Sequence, residues 1–373
     1  MGTLKTQEIN RVVVRGTNWV GDAMMTVPAL RALRHLLPRA SITLATKPSA
    51  KELFEGADFV DEFMSYDRSG PWSAVKQSAE WRRRNFDLAV LFPNSFEAAL
   101  IPVLARVPRR IGYETDGRGR LLTNPLRVPA WRSSRHEIYY YLNIVNELEA
   151  ALGGQGQIAA ESPDGSFHTS DSRHAEAVEL LRAEGVVGER PLIALCPGSI
   201  NSRAKRWPPD RFALLADMLR DELGADILLI GSPEELKVSR EVTTLMRQSP
   251  VMLTGKTSLA QLAGIISLVD LLITNDTGPA HIAAAMGRPT LVIFGPTNPL
   301  TTSPFSPDAE IVRHPPDCAP CMLRDCPIDH RCMTAISPQE VLERARFWIE
   351  KETLVSERKT SPNELKVSQL SPS

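Results

Sequence analysis

At 373 residues, with 43% hydrophobic and 23% charged side chains, the chain has a globular composition and enough length for two ordinary domains. A formal net charge of −1 excludes nucleic-acid binding driven by bulk charge. The opening MGTLKTQEIN lacks the pattern of a secretory signal, and the longest apolar stretch, LAGIISLVDLLIT, is interrupted by Asp270 and is shorter than the ~20 residues of a spanning helix, so a cytoplasmic protein is expected.

After a tail over residues 1–9, RVVVRG (11–16) is β-branched, ends in Gly and predicts a strand. Helical spacing follows over 22–38, then a strand at 41–47, a helix near 49–57, a strand at 60–66, a helix near 71–84 and a strand at 86–94. The Arg-rich stretch at 109–135 reads as loops, and a helix follows at about 136–152. Breakers in GGQGQ and SPDGS put a domain junction in the next span, with a first domain over 10–170 and a second over 171–336. The second repeats the rhythm, with strands at 192–198, 226–232, 251–255, 271–276 and 290–296 and helices at 209–223, 233–248, 259–269 and 279–287. A helix over 337–355 and a disordered polar tail over 356–373 complete the expectation. The fold class is α/β, with two doubly wound Rossmann-like domains built on parallel sheets.

Such sheets bind ligands outside the carboxyl ends of their strands, where loops hand over to helix N-termini. NDTGPAH (275–281) stands at one such end. Gly278 permits close backbone approach, Pro279 suits a first helical turn, and the N–H groups beside Thr277 can receive an anion. A cap would account for Asp276 or Thr277 alone but leaves His281 one turn later unexplained, which favours a phosphate and sugar pocket. PGSINSRAKRW follows another strand with Ser199, Asn201 and Lys205, an ammonium suited to a pyrophosphate. Arg206 reads equally well as solvated. At a third end, Glu234 and Glu235 suit either ribose hydroxyls or a helix dipole. Lys256 and Thr257 suit either a base or a cap and turn. The first strand leads to GTNWVGD, which lacks G-x-G-x-x-G; Asp22 there is either a helix cap or a base for an attacking hydroxyl. Cys196 reads as a small core residue. Cys318, Cys321, Cys326 and Cys332 fall in one short loop with spacing C-x2-C-x4-C-x5-C, making them candidate metal ligands or members of a reduced structural loop, the latter favoured.

NWVGDAMM, LFPNSFEAALIP (91–102), RIGY (110–113), CPGS with AKRWP, and TNDTGPAHIAAAMGRP (274–289) in this order resemble the lipopolysaccharide heptosyltransferase family, glycosyltransferase family 9, and most closely its type II branch, from about residue 10 to 350. The resemblance implies a B-type glycosyltransferase whose domains face a cleft, with the donor in the second domain and the acceptor mainly in the first. It implies an inverting transfer of L-glycero-D-manno-heptose from ADP-heptose to the first heptose of the inner core on Kdo-lipid A. The alternatives are types I and III or another ADP-sugar transferase of the family, then a non-catalytic nucleotide-binding protein, and last a thiol-ligated metal or redox module. By the same similarity Asp22 is the base, Lys205 stabilises the departing pyrophosphate, and Asp276, Thr277, Gly278 and His281 form the donor loop. No cofactor is required on this reading, and the chain has no D-x-D motif. The Cys-rich segment and GTNW depart from the commonest family pattern. WRRRNF (81–86) and RALRHLLPR (31–39) are candidates for contact with the inner-membrane cytoplasmic surface.

Overall fold

A computed structural model of the protein describes residues 9–66 and 72–360. The expected tail up to residue 8 and the stretch from 361 onward lie outside the described residues, as does residue 71 at the start of one expected helix.

The chain divides into two compact units. Of the described residues, the first contains those up to Ser170 together with Ser258–Ala260 and Pro299–Phe305, and the second contains the remainder. In the first unit six parallel strands run β1 (Arg11–Arg15), β2 (Ser41–Thr46), β3 (Glu62–Ser65), β4 (Leu88–Leu91), β5 (Arg109–Tyr113) and β6 (Asn124–Leu126). Their spatial order is β3-β2-β1-β4-β5-β6. Val12, Val13 and Val14 of β1 are wholly buried, as a central strand covered on both faces requires, and their partners are Ile42 to Leu44 on one side and Leu88 to Val90 on the other.

The second unit repeats the plan with β7 (Leu192–Cys196), β8 (Asp226–Leu229), β9 (Val251–Met252), β10 (Leu271–Asn275), β11 (Thr290–Ile293) and β12 (Ala309–Val312). The order here is β12-β11-β10-β7-β8-β9. Read from its own first strand, each sheet has the doubly wound order in which chain direction across the sheet reverses beside that strand. The reversals lie between β1 and β4 and between β7 and β10. The protein is thus α/β, with a doubly wound, Rossmann-like parallel sheet in each unit, as the sequence predicts.

Local chemistry explains where the elements differ from expectation. The helix expected over 22–38 is two helices, Val20–Met25 and Val27–Leu36. Pro28 stands in the first turn of the second, where it donates no N–H to the helix before it, and the Thr26 hydroxyl bonds Ala23 O at 2.7 Å. The stretch at 109–135, expected to be loops, contains β5 and β6. Their apolar signal is small because β5 begins with two arginines and β6 is an edge strand of three residues with Pro125 at its centre. β12 was not expected either. The C-terminal helix runs Pro338–Thr360 rather than stopping at 355, for Glu357, Arg358 and Lys359 favour helix and the next breaker is Pro362.

That helix places Val341, Leu342, Ala345 and Trp348 in the core of the second unit with Trp207 and Phe212. Trp207 is wholly buried, meets Phe212 edge-on at 5.0 Å and donates from Nε1 to Ile336 O at 3.1 Å. Burial of a Trp in this way is worth on the order of 3–5 kcal/mol against alanine. It fixes the chain two residues beyond Lys205. Among the described residues, no helix is long and apolar enough to cross a membrane.

Candidate functional site

In the second unit the loops after β7 and β10 meet where the strand order reverses. Asn275, fully buried at the end of β10, joins them: Nδ2 donates to Pro197 O at 2.9 Å and Gly198 O at 3.1 Å, while Oδ1 accepts from Trp207 N at 3.0 Å. The Arg203–Lys205 turn is thereby brought to Asp276. Lys205 Nζ donates to Asp276 Oδ2 at 2.7 Å and to its carbonyl at 3.3 Å, and the same Oδ2 accepts from Thr297 Oγ1 at 2.7 Å. The Asp276 side chain is 4% exposed and that of Lys205 24%, so the ammonium is held by a buried carboxylate and still reaches solvent.

Beside this cluster begins the Gly278–Ala285 helix, with Pro279 in its first turn. Thr277 supplies no side-chain cap; its hydroxyl turns back to Asn275 O at 3.3 Å and to Thr274 Oγ1 at 3.1 Å. The opening N–H groups of the helix and its dipole, next to Lys205, form an environment suited to an anion. His281 is buried in the same helix.

The other expected donor residues separate. Ser199 is buried and its carbonyl accepts from Arg206 Nη2 at 2.8 Å, which gives Arg206 a local role, whereas Asn201 is exposed. Glu234 is exposed, and its carboxyl is held below the usual range by its own backbone N–H and the Ser232 hydroxyl. Glu235, not Glu234, turns inward: it is buried, accepts from Ser232 N at 2.8 Å, and lies so near Gly198 that a Cβ there would meet Oε1 at 2.2 Å. Lys256 points to Glu184, at 3.3 Å, and lines a polar depression of about 850 Å³ that also includes Asp226 at the start of β8. It is not part of the Lys205 cluster. Thr257 is half-buried in the adjoining loop, whose Gly255 N bonds Gly231 O at 2.9 Å.

The cysteine-rich loop braces this region. Ala204 N donates to Arg324 O at 2.9 Å, Ser202 Oγ to Leu323 O at 3.2 Å, and His330 Nε2 lies 2.6 Å from Ala204 O. Cys332 is buried in the apolar core, Cys318 is exposed, and Cys321 and Cys326 are half-buried. Burial, then the neighbouring Cys326, Cys321 and Cys318, push the Cys332 thiol up. Among the described residues, no group of three or more His, Cys, Asp or Glu side chains is gathered to hold a metal ion. Cys196 is fully buried and its thiol is pushed up to about 12, chiefly by burial, as suits an inert core residue.

In the first unit Asp22 stands in the first turn of the helix after β1, half-buried, at that sheet's order reversal. Sequence reading overlooked its neighbour Glu137, the first residue of the Glu137–Ala151 helix, for which the only local sign was a carboxylate at a helix start. Glu137 is buried and is gripped by the Arg132 fork, with Nη2 2.8 Å from Oε1 and Nη1 on Oε2. Burial raises its carboxyl above the usual range, Arg132 opposes this, and nearby Asp22 raises it further.

His136 caps the same helix: Nδ1 accepts from Ile138 N at 3.2 Å, leaving Nε2–H to donate to Ser303 O at 2.6 Å. Burial holds its proton affinity below the ordinary value near 6.5. A depressed folded-state value means that neutral His136 contributes fully above the unfolded-state value and loses that contribution as pH falls through the folded-state value. Stability should therefore decline on acidification below about pH 6.5. His136→Asn, which retains a capping oxygen, should flatten that part of the curve. Urea melts between pH 7 and 5 check this, and an unchanged slope in the variant refutes it.

The two segments expected at a membrane surface are tied into the first unit. Trp81 is 1% exposed, Arg84 pairs with Glu62 at 2.6 Å, Arg31 pairs with Asp58 at 3.2 Å, and Arg34 pairs with Asp61.

A family model described as glycosyltransferase family 9 (heptosyltransferase) matches residues 75–331. The chain is 29% identical over 312 residues to lipooligosaccharide heptosyltransferase 2 of Haemophilus influenzae, covering 81% of this chain and 88% of that protein. It is 28% identical over 343 residues to lipopolysaccharide heptosyltransferase 2 of Escherichia coli, covering 89% and 97%. Among solved structures it is similar to E. coli ADP-heptose LPS heptosyltransferase II, with a TM-score of 0.79, 27% identity and coverage of 92% and 99%. A family 9 glycosyltransferase from Veillonella parvula shares the fold, with a TM-score of 0.81, 24% identity and coverage of 94% and 99%.

Proposed function

Because the chain belongs to glycosyltransferase family 9, the heptosyltransferases, we propose that it moves L-glycero-D-manno-heptose from ADP-heptose to the first heptose of the lipopolysaccharide inner core. The observation that carries this reading is the Lys205–Asp276–Thr297 cluster beside an uncapped helix start, at the order reversal of the second sheet.

Departure of ADP places negative charge on the pyrophosphate as the sugar passes through an oxocarbenium-like state. On this reading Lys205 and the N–H groups at the start of the Gly278–Ala285 helix meet that charge as it develops, so they favour the transition state over bound substrate. The ribose and base then fall to the loops carrying Glu234, Glu235 and Thr257, and His281 to the donor loop. The acceptor belongs to the first unit. Asp22 takes the proton from its attacking hydroxyl as the oxygen closes on the anomeric carbon, and inversion follows from that single displacement. The acceptor is carried on lipid A, so the reaction takes place at the inner-membrane cytoplasmic surface.

The test is incubation with ADP-heptose and defined truncated acceptors, read by product mass. A gain of one heptose on the acceptor that already carries a first heptose is expected. A gain only on Kdo-lipid A without heptose would reassign the chain to type I chemistry, and no gain on either would overturn the reading.

A further inference from the structure

We propose that Trp19 and Lys47 form an acceptor subsite in the first unit, taking a pyranose ring that carries a phosphate or carboxylate group; this rests on the glycosyl-transfer reading above. Trp19 is 50% exposed, although Trp81, Trp207 and Trp348 are each buried. A single exposed indole would be unremarkable on a protein surface, but this one is set apart by its position, its rigidity and its neighbour.

Its position is the loop leaving β1, at the order reversal of the first sheet, and it is the N-cap of the helix that carries Asp22. Ala23 N bonds Trp19 O at 2.8 Å, so the indole and the carboxylate stand within one turn of each other. Rigidity comes from Arg15, which is 1% exposed and lies 3.2 Å from the Tyr66 ring centroid. Its guanidinium bonds Gly16 O and donates from Nη2 to Asn18 Oδ1 at 3.0 Å. Gly16 N bonds Ala45 O at 2.9 Å, and a Cβ at Gly16 would meet Leu44 and Thr46 atoms at 3.2 Å. A buried cation thus fixes the backbone immediately before an exposed aromatic, as a preorganised platform requires and a solvated loop does not.

The neighbour is Lys47, the residue after β2, whose Nζ lies 5.2 Å from the Trp19 ring centroid. Trp19 remains half exposed with the ammonium over its ring. An indole offers a flat apolar surface to the C–H face of a pyranose, and an ammonium beside it offers a charge-assisted bond to an anionic substituent on that sugar. A neutral acceptor would use the first and not the second.

Steady-state kinetics with ADP-heptose and heptosyl acceptors, with and without phosphate or carboxylate groups near the accepting sugar, test this. Trp19→Ala should raise the acceptor KM about tenfold while the donor KM stays in place, since loss of one aromatic contact is worth roughly a factor of ten. Trp19→Phe should recover most of that loss, which also controls for folding. Lys47→Gln should raise KM only for anionic acceptors. If the wild-type protein transfers heptose and Trp19→Ala keeps its acceptor KM, the subsite falls and the transfer reading stands. Equal effects of Lys47→Gln on charged and neutral acceptors overturn the anionic assignment. A wild-type protein that transfers no heptose overturns the transfer reading and the subsite with it.

Discussion

Asp22→Asn should lower kcat by about 10²–10⁴-fold, the usual contribution of a positioned general base, with little change in the donor KM. Asn preserves the size of the side chain and its place in the first helical turn. What it loses is the capacity to take a proton. The competing role for Asp22 is electrostatic: a carboxylate in the first turn of Val20–Met25 complements the helix dipole, an effect of about 0.3–1 kcal/mol. For domains of this size that is at most about 4 °C in Tm. A base predicts a large rate loss with a small shift in Tm, and a dipole partner predicts the shift without the rate loss. Glu137 serves as the control. Both of its oxygens are taken by Arg132 and it is buried, whereas Asp22 is half-buried. Of the two neighbouring carboxylates, Glu137 is the more enclosed and has both oxygens on Arg132, so Glu137→Gln should affect rate far less. A loss in Glu137→Gln that equals or exceeds that in Asp22→Asn would move the base to Glu137.

How far this site can be read from sequence depends on how locally each feature is encoded. The apolar run Val12–Val14 predicts a strand because β-branched residues favour extended backbone, and β1 proves to be one, buried on both faces. NDTGPAH is legible because glycine and proline at fixed offsets mark a strand handing over to a helix. The strands β5 and β6 were hidden because Arg109, Arg110 and Pro125 mask the apolar alternation of short strands away from the centre of the sheet. The contacts made by Asn275, Thr297 and Glu235 were illegible for another reason. Asn275 and Thr297 act through partners 68 and 21 positions away, and Glu235 through its approach to Gly198, relations that only the folded sheet creates. The choice between Glu234 and Glu235 shows this most simply. Adjacent carboxylates have equal claims in sequence, and the capping box with Ser232 turns one inward while its neighbour stays in solvent.

Lys205→Ala should lower kcat by about 10²–10³-fold, the range seen when one fixed donor to a developing anion is removed. It should also destabilise the fold, and the two effects need to be separated. Asp276 is 4% exposed on its side chain, and without Lys205 it keeps the Thr297 hydroxyl at 2.7 Å and no cation. Removing one partner of a fully buried pair costs about 3–5 kcal/mol and of an exposed pair at most about 1, so with Lys205 one-quarter exposed the cost is about 2 kcal/mol. That corresponds to a fall of roughly 4–8 °C in Tm. The double variant Lys205→Met with Asp276→Asn removes the orphaned charge and gives the site a neutral pair of similar shape. Its Tm should return close to that of the parent protein. Its rate should not, because a neutral side chain supplies no charge to the departing pyrophosphate. If the double variant regains both stability and rate, Lys205 serves only to neutralise Asp276, and stabilisation of the leaving group must come from the helix start alone.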